Sequence, residues 1–148
     1  MQLSLHADYA LRVLIYVGSH AGKTVTTTQI SGAYGISQNH LVRVVQTLGK
    51  QGYVKVTQGR FGGITLARDP ADIRLGQVVR DAEPNMRLVE CFDRETNTCP
   101  IVSVCGLKAH LRNALEAFLA ELDRHTLADL LVDGNDRKLV AALVKITV

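Results

Sequence analysis

Three cysteines, Cys91, Cys99 and Cys105, stand within fifteen residues of this chain, in LVECFDRETNTCPIVSVCGLKAHL, and the rest of the sequence has none. Thiols gathered in this way can build a disulfide framework, fill a core, hold a metal or cluster, or act as redox groups. The odd count argues against a framework. The N-terminus, MQLSLHADYALRVLIYVG, is interrupted by His6, Asp8 and Arg12 and reads as neither an export signal nor a membrane span, so the expected compartment is the reducing cytoplasm. Cysteines that merely fill a core would have apolar neighbours, yet Cys91 and Cys99 flank the polar stretch FDRETNT. A metal or cluster site and a set of redox-active thiols remain.

Seven residues separate Cys91 from Cys99 and five separate Cys99 from Cys105. Structural zinc sites use closely spaced pairs, each chelating from one tight turn, and no such pair is present. Wider spacing suits a larger object wrapped by a loop, so the chemistry favours an iron–sulfur cluster over zinc. Three thiols would leave one iron of a four-iron cube for another donor. Cys105 also stands where a long helix begins, and the positive end of that helix favours a thiolate or an anionic cluster.

The elements that must position these thiols are mainly helical. Apolar residues from Ala7 to Gly18 fall at helical spacing, and a second short helix, capped by Thr27 or Thr28, runs through Ala33 to the turn at Gly35. Ser37 caps a third helix with Leu41, Val44, Val45 and Leu48 on one stripe. Two strands, YVKVT and GITLAR, follow as a hairpin with the glycine-rich tip QGRFGG. This is the layout of a winged helix-turn-helix, in which one helix enters the major groove and the wing reaches the neighbouring minor groove. A further short helix in IRLGQVVRDAEP ends at Pro84. From Gly106 to about Arg124, Leu107, Leu111, Leu115, Phe118 and Leu122 recur every three or four residues, with Ala114 and Leu119 beside them. That apolar face, roughly 27 Å long, is too wide for so small a domain to cover and predicts a dimer helix, with HTLADLL as a short helix after it. The predicted organisation is a DNA-binding domain over 1–84, a cluster-binding loop over 85–105, dimerisation helices over 106–133 and a tail over 134–148. The fold class is mainly α with a small β-hairpin wing: a winged helix-turn-helix plus a long dimerisation helix.

Charge agrees with that division. Residues 1–68 carry seven Lys and Arg against one acid, Asp8, whereas the rest carries ten bases against thirteen acids. A basic half is suited to double-stranded DNA. On the polar face of the third helix, Gln38 and Asn39 can bond adenine bidentately and Arg43 guanine, while Thr28, Gln29 and Ser37 suit phosphates and His40 either target. Arg60 at the wing tip suits a narrow minor groove. No nucleophile with a base partner and no phosphate-binding glycine loop marks an enzyme.

Taken together, HADYALRVLIYVG, YGISQNHLVRVVQTLGKQGYV, GRFGGITLARDP, the three cysteines, CGLKAHL and FLAELDRHTLADLL resemble the iron–sulfur winged-helix repressors of the IscR and NsrR family, and the NsrR-type nitric oxide sensors in particular. The resemblance runs nearly end to end. It implies a homodimer with one cluster per subunit, 4Fe-4S favoured over 2Fe-2S, held by Cys91, Cys99 and Cys105. The IscR-type fourth ligand is a histidine three residues beyond the last cysteine, where this chain has Lys108. The NsrR-type alternative, an aspartate in the first helix of the partner subunit, falls on Asp8, with His110 as reserve candidate. The implied function is a repressor that releases operator DNA on reaction with nitric oxide. The alternative is a regulator of the same family that senses iron–sulfur status or oxidative stress. The gap of seven after Cys91 is longer than is common among such relatives.

Overall fold

Small oxygen-bearing side chains decide where the first three helices begin. The computed structural model, which describes residues 2–60, 62–131 and 141–142, has the order α1 (Leu5–Ser19), α2 (Thr27–Tyr34), α3 (Gln38–Lys50), β1 (Val54–Thr57), β2 (Gly63–Leu66), α4 (Leu75–Ala82), α5 (Leu107–Asp123) and α6 (Leu127–Leu130). Ser4 accepts from the Ala7 N–H and starts α1 two residues earlier than apolar spacing predicts. Thr26, rather than Thr27 or Thr28, caps α2. Gln29 lies three residues beyond it, and the two close a reciprocal box: Gln29 N–H to Thr26 Oγ1 at 3.2 Å and Thr26 N–H to Gln29 Oε1 at 2.8 Å. Ser37 caps α3 as expected.

Glycines end α2 and α3. Gly35 takes φ +66°, the left-handed conformation that turns α2 into α3. Gly52 takes φ +73°, and the Tyr53 N–H then reaches back to Leu48 O at 2.9 Å while the Gly52 N–H meets Gly49 O at 3.1 Å. This reversal turns the Tyr53 ring inward to full burial, with its hydroxyl donating to Asp81 Oδ2 at 2.6 Å. The first strand therefore begins at Val54, one residue later than the sequence suggests.

The core is one apolar cluster. Leu41, Val44, Val45 and Leu48 of α3 are all buried, as the stripe predicts, against Ala10, Val13, Leu14 and Val17 of α1 and Ile30 and Ala33 of α2. α1 packs against both α3 and α4 and so spans the domain. In the wing, β1 and β2 pair antiparallel with Val54 opposite Leu66 and Thr57 opposite Gly63. Ile64 also exchanges two backbone hydrogen bonds with Val25, at 2.7 and 3.1 Å, which anchors the wing to the segment entering α2. The fold is a winged helix-turn-helix followed by a long helix.

α5 is fixed at one end and bare at the other. Its C-terminal end meets α4, where Asp123 takes both terminal nitrogens of Arg80 and Arg74 donates to the Asp123 carbonyl at 2.7 Å. The Leu75 N–H donates to His125 O and the Leu127 N–H to Ile73 O, which completes the junction. The hydrogen bonds from Arg80 hold the Asp123 carboxyl below its ordinary range. Leu119, which the sequence sets beside the apolar stripe, is the α5 residue that is buried. The stripe itself is less covered: Leu107 is 59% exposed, and Leu111, Leu115, Phe118 and Leu122 are half-buried. α6, grouped by sequence with the dimer helix, packs against α1 and buries Leu127. The predicted tail, 134–148, lies outside the described residues apart from 141–142.

Candidate metal centre and nucleic-acid interface

All three cysteines are free and half-buried. Cys91 lies in a single 3-10 turn, Glu90–Phe92; Cys99 opens a run of turns in which Val102 N–H meets Cys99 O at 3.3 Å; and the Cys105 N–H donates to Ile101 O at 2.9 Å immediately before α5. The Arg112 guanidinium lies over the Phe92 ring at 5.9 Å, so the turn carrying Cys91 is drawn to the second turn of α5, about two turns beyond Cys105. Gly106, next to Cys105, precedes α5 without a side-chain cap, and the Ala109 N–H donates to its carbonyl at 3.1 Å.

The long gap after Cys91 has its own architecture, which spacing did not disclose. Asp93 is the one buried charged or polar residue among the described residues. It accepts from the Glu95 N–H at 3.0 Å and Thr96 Oγ1 at 2.7 Å and pairs with Arg87 at 2.6 Å. Glu90 accepts from both the N–H and the hydroxyl of Thr98, the latter at 2.7 Å. These bonds, the Thr96 and Thr98 hydroxyls foremost, hold both carboxyls below their ordinary range. The legible signal is Asp93 followed three residues later by Thr96, a side-chain-closed turn outside any helix.

A single metal ion needs donors crowded together: with zinc–sulfur bonds of about 2.3 Å in a tetrahedron, the sulfurs come within roughly 4 Å of one another. Among the described residues no three His, Cys, Asp or Glu side chains gather in that way. The donor set itself is three soft thiols on one loop, with the Glu90 and Asp93 carboxylates already engaged. That set fits an iron–sulfur cluster, whose irons are spread apart and take separate thiolates.

Asp8 lies in the first turn of α1, where Arg12 holds it through Nε at 3.1 Å and Nη2 at 2.8 Å. Its side chain remains 37% exposed, open to a second molecule. The Arg12 guanidinium also covers the Tyr34 ring at 5.8 Å. His110 is exposed on α5, and Lys108 is half-buried.

Ser37, Gln38, Asn39, His40 and Arg43 are all exposed along α3, and Thr28 and Gln29 along α2. The structure brings two of them into contact. Gln38 Nε2 donates to Thr28 Oγ1 at 3.3 Å, bridging the two helices. Ser37 Oγ and Gln29 Oε1 are used as caps, so these two residues hold the helix starts as well as facing outward. The His40 ring lies 6.2 Å from the ring of Tyr9, next to Asp8. Arg60 is exposed on the wing. Sequence reading missed Val42, an apolar side chain 42% exposed among Gln38, Asn39 and Gln46. Its position off the buried stripe was the available signal, and a thymine methyl is the matching target.

Comparison with known proteins finds relatives along nearly the whole chain. Residues 3–133 match the Rrf2 family, described as an iron-dependent transcriptional regulator. The chain is 47% identical over 137 residues to the HTH-type transcriptional regulator NsrR of Bacillus subtilis, covering 92% of this chain and 94% of that protein. It is 47% identical over 146 residues to the regulator of the same name from Geobacillus kaustophilus, covering 98% and 97%. Among solved structures, T. potens IscR aligns with a TM-score of 0.73 at 25% identity over 93% of this chain and 91% of that one. CymR, the global cysteine regulator of B. subtilis, aligns with a TM-score of 0.67 at 26% identity, over 88% and 96%.

Proposed function

The chain belongs to the Rrf2 family of transcriptional regulators, and from that premise we propose that it is a cytoplasmic, homodimeric iron–sulfur repressor that senses nitric oxide and then releases operator DNA. The observation that carries the reading is the loop of three free thiols at the uncapped start of α5, a helix whose other end is bolted to the DNA-binding domain. The half-covered stripe of α5 supports a dimer, since a second copy buries what the monomer leaves wet. No described helix is long and apolar enough to cross a membrane.

Cys91, Cys99 and Cys105 would hold the cluster, and Asp8 of the partner subunit would complete its ligand set. When bound, the cluster supplies iron that reacts with nitric oxide. The chain's own part is to transmit the state of Asp8. That carboxylate stands on α1, α1 packs directly on α3, and Tyr9 meets His40 of the recognition helix. A shift of α1 therefore repositions α3. Two recognition helices must meet both half-sites together, so a small change in their spacing costs the second contact.

The test is an anaerobic absorption spectrum with iron and sulfide analysis, alongside operator binding, before and after nitric oxide. A visible chromophore that bleaches in step with loss of DNA affinity is expected. Colourless protein that binds operator at full strength would end the sensor reading. A chromophore indifferent to nitric oxide but lost on oxidation or iron depletion would favour the sibling role in iron–sulfur or oxidative sensing. For the wing, Arg60→Ala is expected to weaken operator binding and to reduce the slope of log affinity against log salt by about one per subunit, about two for the dimer. An unchanged slope in a salt titration would remove Arg60 from the interface.

A further inference from the structure

Seven residues between two ligands are enough to let them wander, yet here the ends of the span are tied. Glu90 immediately precedes Cys91 and Thr98 immediately precedes Cys99. The Glu90 carboxylate takes both hydrogen-bond donors of Thr98, so the residues beside the two thiols are clasped to each other. Within the span, Asp93 gathers Glu95, Thr96 and, from outside it, Arg87 onto one buried carboxylate. The arch is thus closed at its base by Glu90 and filled at its centre by Asp93. Phe92, under Arg112, then fixes the closed arch against α5, where Cys105 stands.

We infer that Glu90 and Asp93 are positioning residues for the cluster: they close the long span so that Cys91 and Cys99 are presented as a preformed pair, and neither is itself a ligand. The inference rests on the proposed cluster-binding role. Its physical basis is entropic. An open span of this length must be ordered when the thiolates bind, whereas a clasped one has already been ordered by folding. The Glu90 carboxylate is engaged by Thr98 and the Asp93 carboxylate by Glu95, Thr96 and Arg87 in making that clasp.

Wild type, Glu90→Ala and Glu90→Gln are reconstituted anaerobically with ferrous iron and sulfide. Each is then challenged with EDTA, following the visible absorption and the iron–thiolate resonance Raman bands. Thermal unfolding of the apo proteins and amide exchange at Thr98 are measured in parallel. The expected result for Glu90→Ala is loss of the cluster about tenfold faster, roughly the net effect of losing the two exposed hydrogen bonds from Thr98. Faster Thr98 exchange and an unchanged apo melting temperature should accompany it. Glu90→Gln, which keeps an acceptor oxygen, should recover most of the lifetime, as a positioning role requires. Asp93→Asn should act in the same direction as Glu90→Ala. A Glu90→Ala cluster that persists as long as wild type, with Thr98 exchange accelerated, would overturn the positioning role while leaving the cluster intact. Wild-type protein that takes up no iron or sulfide would instead overturn the cluster reading, and this inference with it.

Discussion

Cys105→Ser is expected to leave a folded protein without its chromophore, and with operator affinity lower by about 100-fold. Serine keeps the shape but replaces a soft thiolate with a hard, protonated oxygen, a poor donor to iron in a sulfur-rich site. The chain has three cysteines in all, so the loss of Cys105 leaves two and no fourth thiol to take its place. The fold should survive because the residue is half-exposed and belongs to no part of the main core. The size of the DNA effect follows from symmetry. Losing simultaneous engagement of two half-sites removes an avidity factor on the order of 10² or more without breaking any contact within either half-site. Iron and sulfide analysis, far-ultraviolet circular dichroism and operator titration at one fixed salt concentration measure the three parts. Undiminished affinity in a cluster-free Cys105→Ser protein would show that the thiol loop does not govern DNA binding.

The DNA-binding half was legible because its signals are local and periodic. The stripe Leu41, Val44, Val45 and Leu48 predicts which face of α3 is buried, and Ser37, Gly35 and Gly52 mark its limits in residues whose backbone and side-chain preferences are strong. Caps were harder. Thr26, Thr27 and Thr28 are chemically alike, and the choice among them is made by the reach of Gln29 rather than by threonine itself. On α5 the periodicity names an apolar face but cannot say which neighbour covers which part. Leu119, adjacent to the stripe, is the residue buried at the α4 junction, while the stripe stays partly open. The thiols themselves were plain in the sequence, as was their separation. The arch over Cys91 and Cys99 was not, because Glu90 and Thr98 meet across eight residues of a segment with no periodicity to say which side chains pair.

The junction between α4 and α5 carries the second large effect, and it turns on the absence of a side chain. At Gly76, in the first turn of α4, an added Cβ would run into the Asp123 carboxylate and come within 2.8 Å of the Leu119 carbonyl oxygen. Gly76→Ala must therefore push α5 off α4, because one obstacle is backbone and the other is held in place by Arg80. Helix propensity alone would make the same change favourable by about 0.5–1 kcal/mol. Overpacking outweighs it at about 3 kcal/mol, a fall in Tm of roughly 6–12 °C for a chain of this size. Gly32→Ala, in α2 with open space around the position, isolates the propensity term and should be neutral or slightly stabilising. The acid limb of stability supplies a separate readout. Asp123 is held below its ordinary range by Arg80, so its contribution is complete above the usual carboxylate value near pH 4. That contribution is lost as pH falls through the depressed value. Displacing Asp123 should flatten this limb in Gly76→Ala but not in Gly32→Ala. The same junction fixes where α5, and the thiol loop that precedes it, stands on the DNA-binding domain, so Gly76→Ala should displace the loop from the partner subunit's Asp8 and uncouple cluster state from the proposed route through α1 and α3. Operator affinity that still tracks cluster content in that variant, at a temperature where it remains folded, would mean the signal travels by another route.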